Sequence, residues 1–255
     1  MLDSPWLVWF LSVAYLLFVW LGPKYLRDKK PFDLRTPMII HNIALVVFST
    51  YMCIEIFLST WDGKYDYICA PYNLQTRENP KELRVAKVLY LHFISKSFEL
   101  LDTVWMVLRK KDKQVTYLHI YHHVLIINCW WWVMKFAPGG VVYFPACFNS
   151  FIHALMYTYY LLASVPALRP YLWWKKYITR LQMTQFVAVF LHVALNMYLR
   201  CDYPLWGQLL VVWISLSLLV LFGNFYWNAY RRSSHATNTD KTSTNGRYVE
   251  SKKLA

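Results

Sequence analysis

Apolar residues gather into seven runs of spanning length, at 6–22, 37–58, 86–108, 115–134, 141–163, 177–199 and 205–230, with polar residues between them. A backbone crossing lipid must satisfy its own hydrogen bonds, so such runs form helices. The pattern therefore predicts an all-α polytopic membrane protein with seven transmembrane helices. The first run has the length of a signal peptide. No basic stretch precedes it and no small-residue cleavage site follows, and Trp6, Trp9 and Trp20 read as interfacial anchors. From residue 231 the chain turns to Ser, Thr, Asn and Lys, which predicts a disordered tail. Two regions follow: a membrane domain over 1–230 and a tail over 231–255.

Composition agrees, with 57% hydrophobic and 19% aromatic residues. The formal charge of +13 adds direction, because it is concentrated outside the spans. Lys24, Arg27, Lys29, Lys30 and Arg35 follow the first run, Arg109 to Lys113 the third, Arg169, Lys175 and Lys176 the fifth, and Arg231 and Arg232 the seventh. The positive-inside rule puts these on the cytosolic side, with a lumenal N-terminus and a cytosolic C-terminus. The loop from Ser59 to Arg84 is mixed in charge and dissents weakly. Such a charge suits anionic lipid heads or a phosphorylated ligand better than nucleic acid, and no zinc-finger, Walker or dinucleotide motif is present. In this orientation Cys69 and Cys201, the only cysteines in predicted loops, share the oxidising side, which predicts a disulfide between them. Cys53, Cys129 and Cys147 lie in spans and read as small core residues.

Polar residues within the spans carry the candidate chemistry, because each is costly there. His119, His122 and His123 fall on one arc of a helix, a pattern suited to metal ligation or to acid-base and nucleophilic work. The third span carries His92, Lys96, Glu99 and Thr103 along one stripe, with Asp102 further round. Lys96 and Glu99 can neutralise one another, so a structural ion pair is an equal reading. The fifth carries Asn149, His153, Tyr157 and Tyr160, and the sixth Gln182, Gln185, His192 and Asn196. Asn196 reads as helix–helix glue and His41 as packing. At ~1.5 Å per residue, His122, Glu99, Gln185 and His153 all lie ~14–18 Å from their nearest loops, near the middle of a ~30 Å core. Four polar faces at one depth predict a buried polar chamber with a basic mouth and apolar walls.

These residues also form recognisable blocks. Lys96 to Thr103 resembles the K-x-x-E-x-x-D-T motif of the elongases of very-long-chain fatty acids. Gln114 with Leu118-His119-Ile120-Tyr121-His122-His123 resembles their histidine box. Asn149 to Tyr160 is similar to their N-S-x-x-H-x-x-M-Y-x-Y-Y block, and Thr179 to Gln185 to T-x-L-Q-x-x-Q. The four stand in the family's order and cover roughly residues 4 to 230, and the histidine box resembles the animal polyunsaturated and very-long-chain branch. The run Val124 to Asn128, Ala154 and a short stretch before the first helix depart from the pattern and bear on chain-length preference. The resemblance implies a 3-ketoacyl-CoA synthase of the endoplasmic reticulum that condenses an acyl-CoA with malonyl-CoA, releasing CO2 and CoA. It implies six helices in a barrel around an acyl tunnel, with the first outside. It implies membrane lipid and the other elongation-cycle enzymes as partners, and leaves room for a homo-oligomer. No cofactor or metal is implied. Soluble condensing enzymes use a cysteine; no cysteine lies in these motifs, so an imidazole must substitute. His122 is the expected nucleophile, with His119, His123 and His153 around it and Lys96, Glu99, Asp102, Asn149, Gln182 and Gln185 in support. Arg109, Lys110, Lys175 and Lys176 are expected on CoA, with Tyr157 and Tyr160 as further substrate contacts; lipid-head anchoring is the alternative for each basic residue. Lys252 and Lys253 resemble a dilysine retrieval signal.

Two other classes stay in view. A di-iron membrane desaturase or hydroxylase also uses histidine boxes, but needs about eight ligands in several clusters, and only one cluster is present. A seven-helix receptor or transporter fits the spans but leaves the midplane charges unexplained.

Overall fold

The computed structural model describes residues 2–70 and 79–232, so Lys252, Lys253 and the expected tail beyond 232 lie outside the described residues. The described chain holds eight α-helices and no strand: α1 (Trp6–Tyr25), α2 (Arg35–Asp62), α3 (Pro80–Glu99), α4 (Leu101–Leu108), α5 (Tyr117–Phe136), α6 (Tyr143–Ala163), α7 (Lys175–Tyr198) and α8 (Leu205–Tyr226). Local signals set several of the ends. Pro80 occupies the first turn of α3, where its missing N–H costs nothing, and Asn79 caps that turn by accepting from the Lys81 N–H at 3.0 Å. Thr116 caps α5 by accepting from the His119 N–H at 3.3 Å.

The third predicted span emerges as two helices. Leu100, between α3 and α4, keeps helical dihedrals (φ −60°, ψ −25°), so the interruption lies in the hydrogen bonding rather than in the course of the chain. Neither Pro nor Gly marks it. Four segments are long and apolar enough to cross a membrane, Trp6–Tyr25, Arg35–Asp62, Lys175–Tyr198 and Leu205–Tyr230, where the sequence pattern predicted seven. The remaining long helices, α3, α5 and α6, have 20, 20 and 21 residues but carry charged, imidazole and hydroxyl side chains that lower their hydropathy. Large apolar side chains point outward along α1, α2 and α8, for example Trp6 at 72%, Val47 at 63% and Val220 at 70% exposure. Surfaces of this kind need lipid. The protein is a multi-pass membrane protein.

Packing joins α2 to α3 and α6, α6 to α7, α7 to α8, α8 to α5 and α5 to α3, while α1 lies against α4 and α5. The two ends differ in chemistry. At the basic end, Lys110 Nζ donates to the Arg27 carbonyl at 2.8 Å, and the Phe32 N–H donates to the Leu108 carbonyl at 3.2 Å. These bonds fasten the α1–α2 loop to the end of α4. At the other end a disulfide joins Cys69 to Cys201, across 132 residues, and so ties the α2–α3 loop to the α7–α8 loop. Gly140, at φ +58°, makes the turn before α6; a Cβ there would stand 3.0 Å from Tyr203 and 3.2 Å from the Ala70 carbonyl. Tyr143 donates to the Tyr67 carbonyl at 2.8 Å, and Tyr65 donates to Glu82 at 2.5 Å. Burial, with the Glu82 carboxylate beside it, pushes the Tyr65 phenol up, so it stays a donor. Among the described residues, this aromatic and covalent tie joins the loops at the disulfide end.

Candidate active site

The sequence stripes meet in the middle of the bundle in two adjoining polar groups. The first is built on α3 and α6. Lys96 Nζ donates to Glu99 Oε1 and to Asn149 Oδ1, both at 2.8 Å. The i,i+3 spacing on α3 makes the ion pair, and Asn149 Oδ1 on α6 accepts from a second N–H of the lysine. Lys96 is 3% and Glu99 1% exposed, so the pair is desolvated and depends on these partners. His153 Nδ1 lies 3.2 Å from the same Glu99 oxygen, though not aligned for a hydrogen bond. Glu99 Oε2 is buried and has no hydrogen-bond partner among the described residues. His92 contacts Ser150 Oγ at 3.0 Å and presents its ring edge to Trp130 at 4.6 Å.

The second group is built on α4 and the start of α5. Thr103 Oγ1 contacts His119 Nε2 at 2.7 Å, and Tyr15 of α1 reaches the same hydroxyl at 3.0 Å. His119 lies 4.4 Å from His123 between ring centroids, and His123 lies 5.3 Å from His122. The histidine box is thus a set of three rings in contact. Asp102, one residue before Thr103, is 9% exposed and has both oxygens occupied. His41 Nε2 meets Oδ1 at 3.0 Å and Tyr157 donates to Oδ2 at 2.7 Å.

His122 differs from its neighbours. It is the one of the three rings that lines a mostly apolar cavity, and like His123 it makes no hydrogen bond among the described residues. Asn149, Gln185, Ser215 and Trp130 also line that cavity and carry polar groups. Its remaining wall is apolar, from Ile126, Cys129 and Val133 on α5 and Phe186, Val189 and Leu218 on α7 and α8. An imidazole with a free ring edge facing a mostly apolar slot can act on a carbonyl carbon held there. The amides of Asn149 and Gln185 line the same cavity and carry N–H groups that can donate to an oxyanion.

Other predicted residues fall elsewhere. Gln182 turns to Met156, with its amide nitrogen 3.7 Å from the sulfur. Tyr160 packs on Tyr157 with centroids 5.9 Å apart. Tyr157, expected to contact CoA, has 0% exposure and belongs to the Asp102 group, because its hydroxyl finds a carboxylate partner inside the bundle. Lys175 and Lys176 are exposed at the basic end. Arg109 and Lys110 are engaged there already, by the Met38 sulfur at 3.1 Å and the Arg27 carbonyl. The reading of His41 as packing is overturned by its bond to Asp102. The signal that could have found it is an imidazole with no charge nearby in sequence, one turn inside a basic loop. Among the described residues, no three His, Cys, Asp or Glu side chains come together so as to hold a metal ion, so the ligand set of a di-iron enzyme is not assembled there.

Comparison with known proteins adds to this geometry. Residues 1–238 match the profile of the ELO: GNS1/SUR4 family. The chain is 41% identical over 247 residues to very long chain fatty acid elongase 4 of Mus musculus, covering 96% of this chain and 78% of that protein. It is 41% identical over 240 residues to very long chain fatty acid elongase 5 of Homo sapiens (94% and 79%) and 42% over 245 residues to that of Rattus norvegicus (92% and 81%).

Proposed function

The chain belongs to the ELO: GNS1/SUR4 family, and from that premise we propose that it condenses a long-chain acyl-CoA with malonyl-CoA to give 3-ketoacyl-CoA, CO2 and CoA. The observation that carries this reading is His122, which lines a mostly apolar cavity together with two amides and makes no hydrogen bond among the described residues. That arrangement suits an acyl thioester, with its tail along the apolar wall and its carbonyl at the imidazole.

The route takes two steps. A ring nitrogen of His122 attacks the thioester carbon, the C–S bond breaks, and the sulfur leaves with the proton the imidazole gives up. An acyl-imidazole remains. Malonyl-CoA then loses its carboxylate as CO2, and the electron pair left on its α-carbon forms a bond to the acyl carbon. The imidazole departs and takes up one proton, so each turnover consumes one proton from solvent. Neither step draws on a cofactor. His119, His123 and His153 orient the ring or move the proton, and Asn149 or Gln185 donates to the oxyanion. Lys96 holds Asn149 in place through its 2.8 Å bond, and Glu99 neutralises that lysine.

The wider setting follows the same reading. The pairwise packing of α2, α3 with α4, α5, α6, α7 and α8 supports a six-helix barrel around the acyl tunnel, α1 outside, with seven crossings in all. The basic end faces the cytosol and takes the CoA phosphates, and the disulfide end and the N-terminus face an oxidising lumen, that of the endoplasmic reticulum. The other enzymes of the elongation cycle are the expected partners, and the lipid-facing helices have room for a homo-oligomer.

The test is direct. Purified protein in detergent, given acyl-CoA and labelled malonyl-CoA, should form 3-ketoacyl-CoA with one CO2 per product, and His122→Ala should not. Equal product from His122→Ala would remove the reading.

A further inference from the structure

His41 lies outside every motif of the sequence, on the second turn of α2, yet its side chain is only 8% exposed. Its Nε2 meets Asp102 Oδ1 at 3.0 Å while Tyr157 takes Oδ2 at 2.7 Å. The carboxylate is thus gripped from α2 and α6 at once, and it sits in the first turn of α4. The next residue, Thr103, is fully buried and reaches His119 Nε2 at 2.7 Å. His119 in turn packs on His123 at 4.4 Å, and His123 on His122 at 5.3 Å. The first turn of α4 follows the break at Leu100, where the regular helical ladder does not secure it. One backbone bond, from the Thr103 N–H to the Leu100 carbonyl at 3.2 Å, crosses that break, and the side-chain bonds to Asp102 from α2 and α6 add to it.

We propose that His41 is a positioning residue of the active site, holding Asp102 together with Tyr157 and so setting the place from which Thr103 orients the histidine box. His41 touches none of the reacting atoms in this account; it acts through Asp102 and the backbone of α4. Its ring is also braced edge-on by Trp105 at 5.9 Å and by Tyr157 at 6.4 Å. That bracing leaves Nε2 aimed at the carboxylate. The inference rests on the condensing function proposed above.

His41→Phe keeps the ring volume and removes the bond, while His41→Gln places an amide nitrogen near the position of Nε2. The purified variants would be assayed for condensation at varied acyl-CoA and malonyl-CoA, and for melting temperature. His41→Phe should lower kcat by roughly tenfold with both KM values within about twofold, as a misplaced catalytic group does. His41→Gln should recover most of that loss. In an Asp102→Asn background, itself slow, His41→Phe should cost little more. The inference fails if His41→Phe keeps the kcat of the wild type, if Gln and Phe are equally slow, or if the cost is the same again beside Asp102→Asn. Should His41→Phe fail to accumulate, the comparison of His41→Gln with His41→Asn decides, since Asn is too short to reach Asp102 and should be the slower by the same factor. A wild-type protein that condenses nothing would remove the proposed function and this inference together; a wild type that condenses while His41→Phe and His41→Asn keep pace removes this inference alone.

Discussion

Lys96 Nζ and Glu99 Oε1 stand 2.8 Å apart on one face of α3, with side-chain exposures of 4% and 2%. A pair so deeply buried stabilises little by itself, because desolvation offsets most of the attraction, but removing one member leaves an uncompensated charge. Lys96→Met and Glu99→Gln should each destabilise by about 3–5 kcal/mol. The double variant should melt above either single one. Its activity should stay at least about a hundredfold down, since Asn149 loses the lysine that positions it. Thermal melting and initial rates on the three variants check this; additive losses in melting temperature would contradict it.

The disulfide between Cys69 and Cys201 closes a loop of 132 residues at one end of the bundle. A cross-link of that span restricts the unfolded chain, and its loss should cost about 2–5 kcal/mol. Cys69→Ser, Cys201→Ser and the double variant should therefore melt at similar, lower temperatures. Reduction should expose two further thiols to alkylation, mapped to those peptides.

Charges at the basic end divide by what they touch. Lys175 and Lys176 are exposed, whereas Lys110 fastens the α1–α2 loop and Arg109 reaches Met38 in the first turn of α2. Lys175→Gln with Lys176→Gln should raise KM for both CoA substrates by about 3- to 10-fold and leave kcat alone. Arg109→Gln with Lys110→Gln should lower the melting temperature more than it raises KM. Steady-state kinetics and melting on the two double variants separate these roles.

Much of this was legible in the sequence because charge and imidazole inside an apolar run are rare and costly. Lys96, Glu99, Asn149 and His153 stood out for that reason, and the structure brings them within bonding reach of one another. Helical periodicity could place Thr103 on the stripe but not against His119, since that contact depends on how α4 meets α5. His41 escaped because its partner is 61 residues away and on another helix. The bond from Tyr157 to Asp102 was hidden for a related reason: an aromatic stripe reports a face of α6, not which carboxylate that face will meet. The break at Leu100 had no Pro, Gly or polar signal of its own. Span counting was blurred where the site is densest, because the side chains that do the chemistry are those that lower hydropathy.

Covalent attachment at His122 is the claim on which the mechanism turns. Purified protein would be incubated with acyl-CoA alone, free CoA counted per enzyme, and the digested protein weighed peptide by peptide. The account predicts release of about one CoA per enzyme, with the acyl mass on the peptide carrying His122 and none in His122→Ala. No CoA release until malonyl-CoA is added, or turnover retained in His122→Ala, would contradict it.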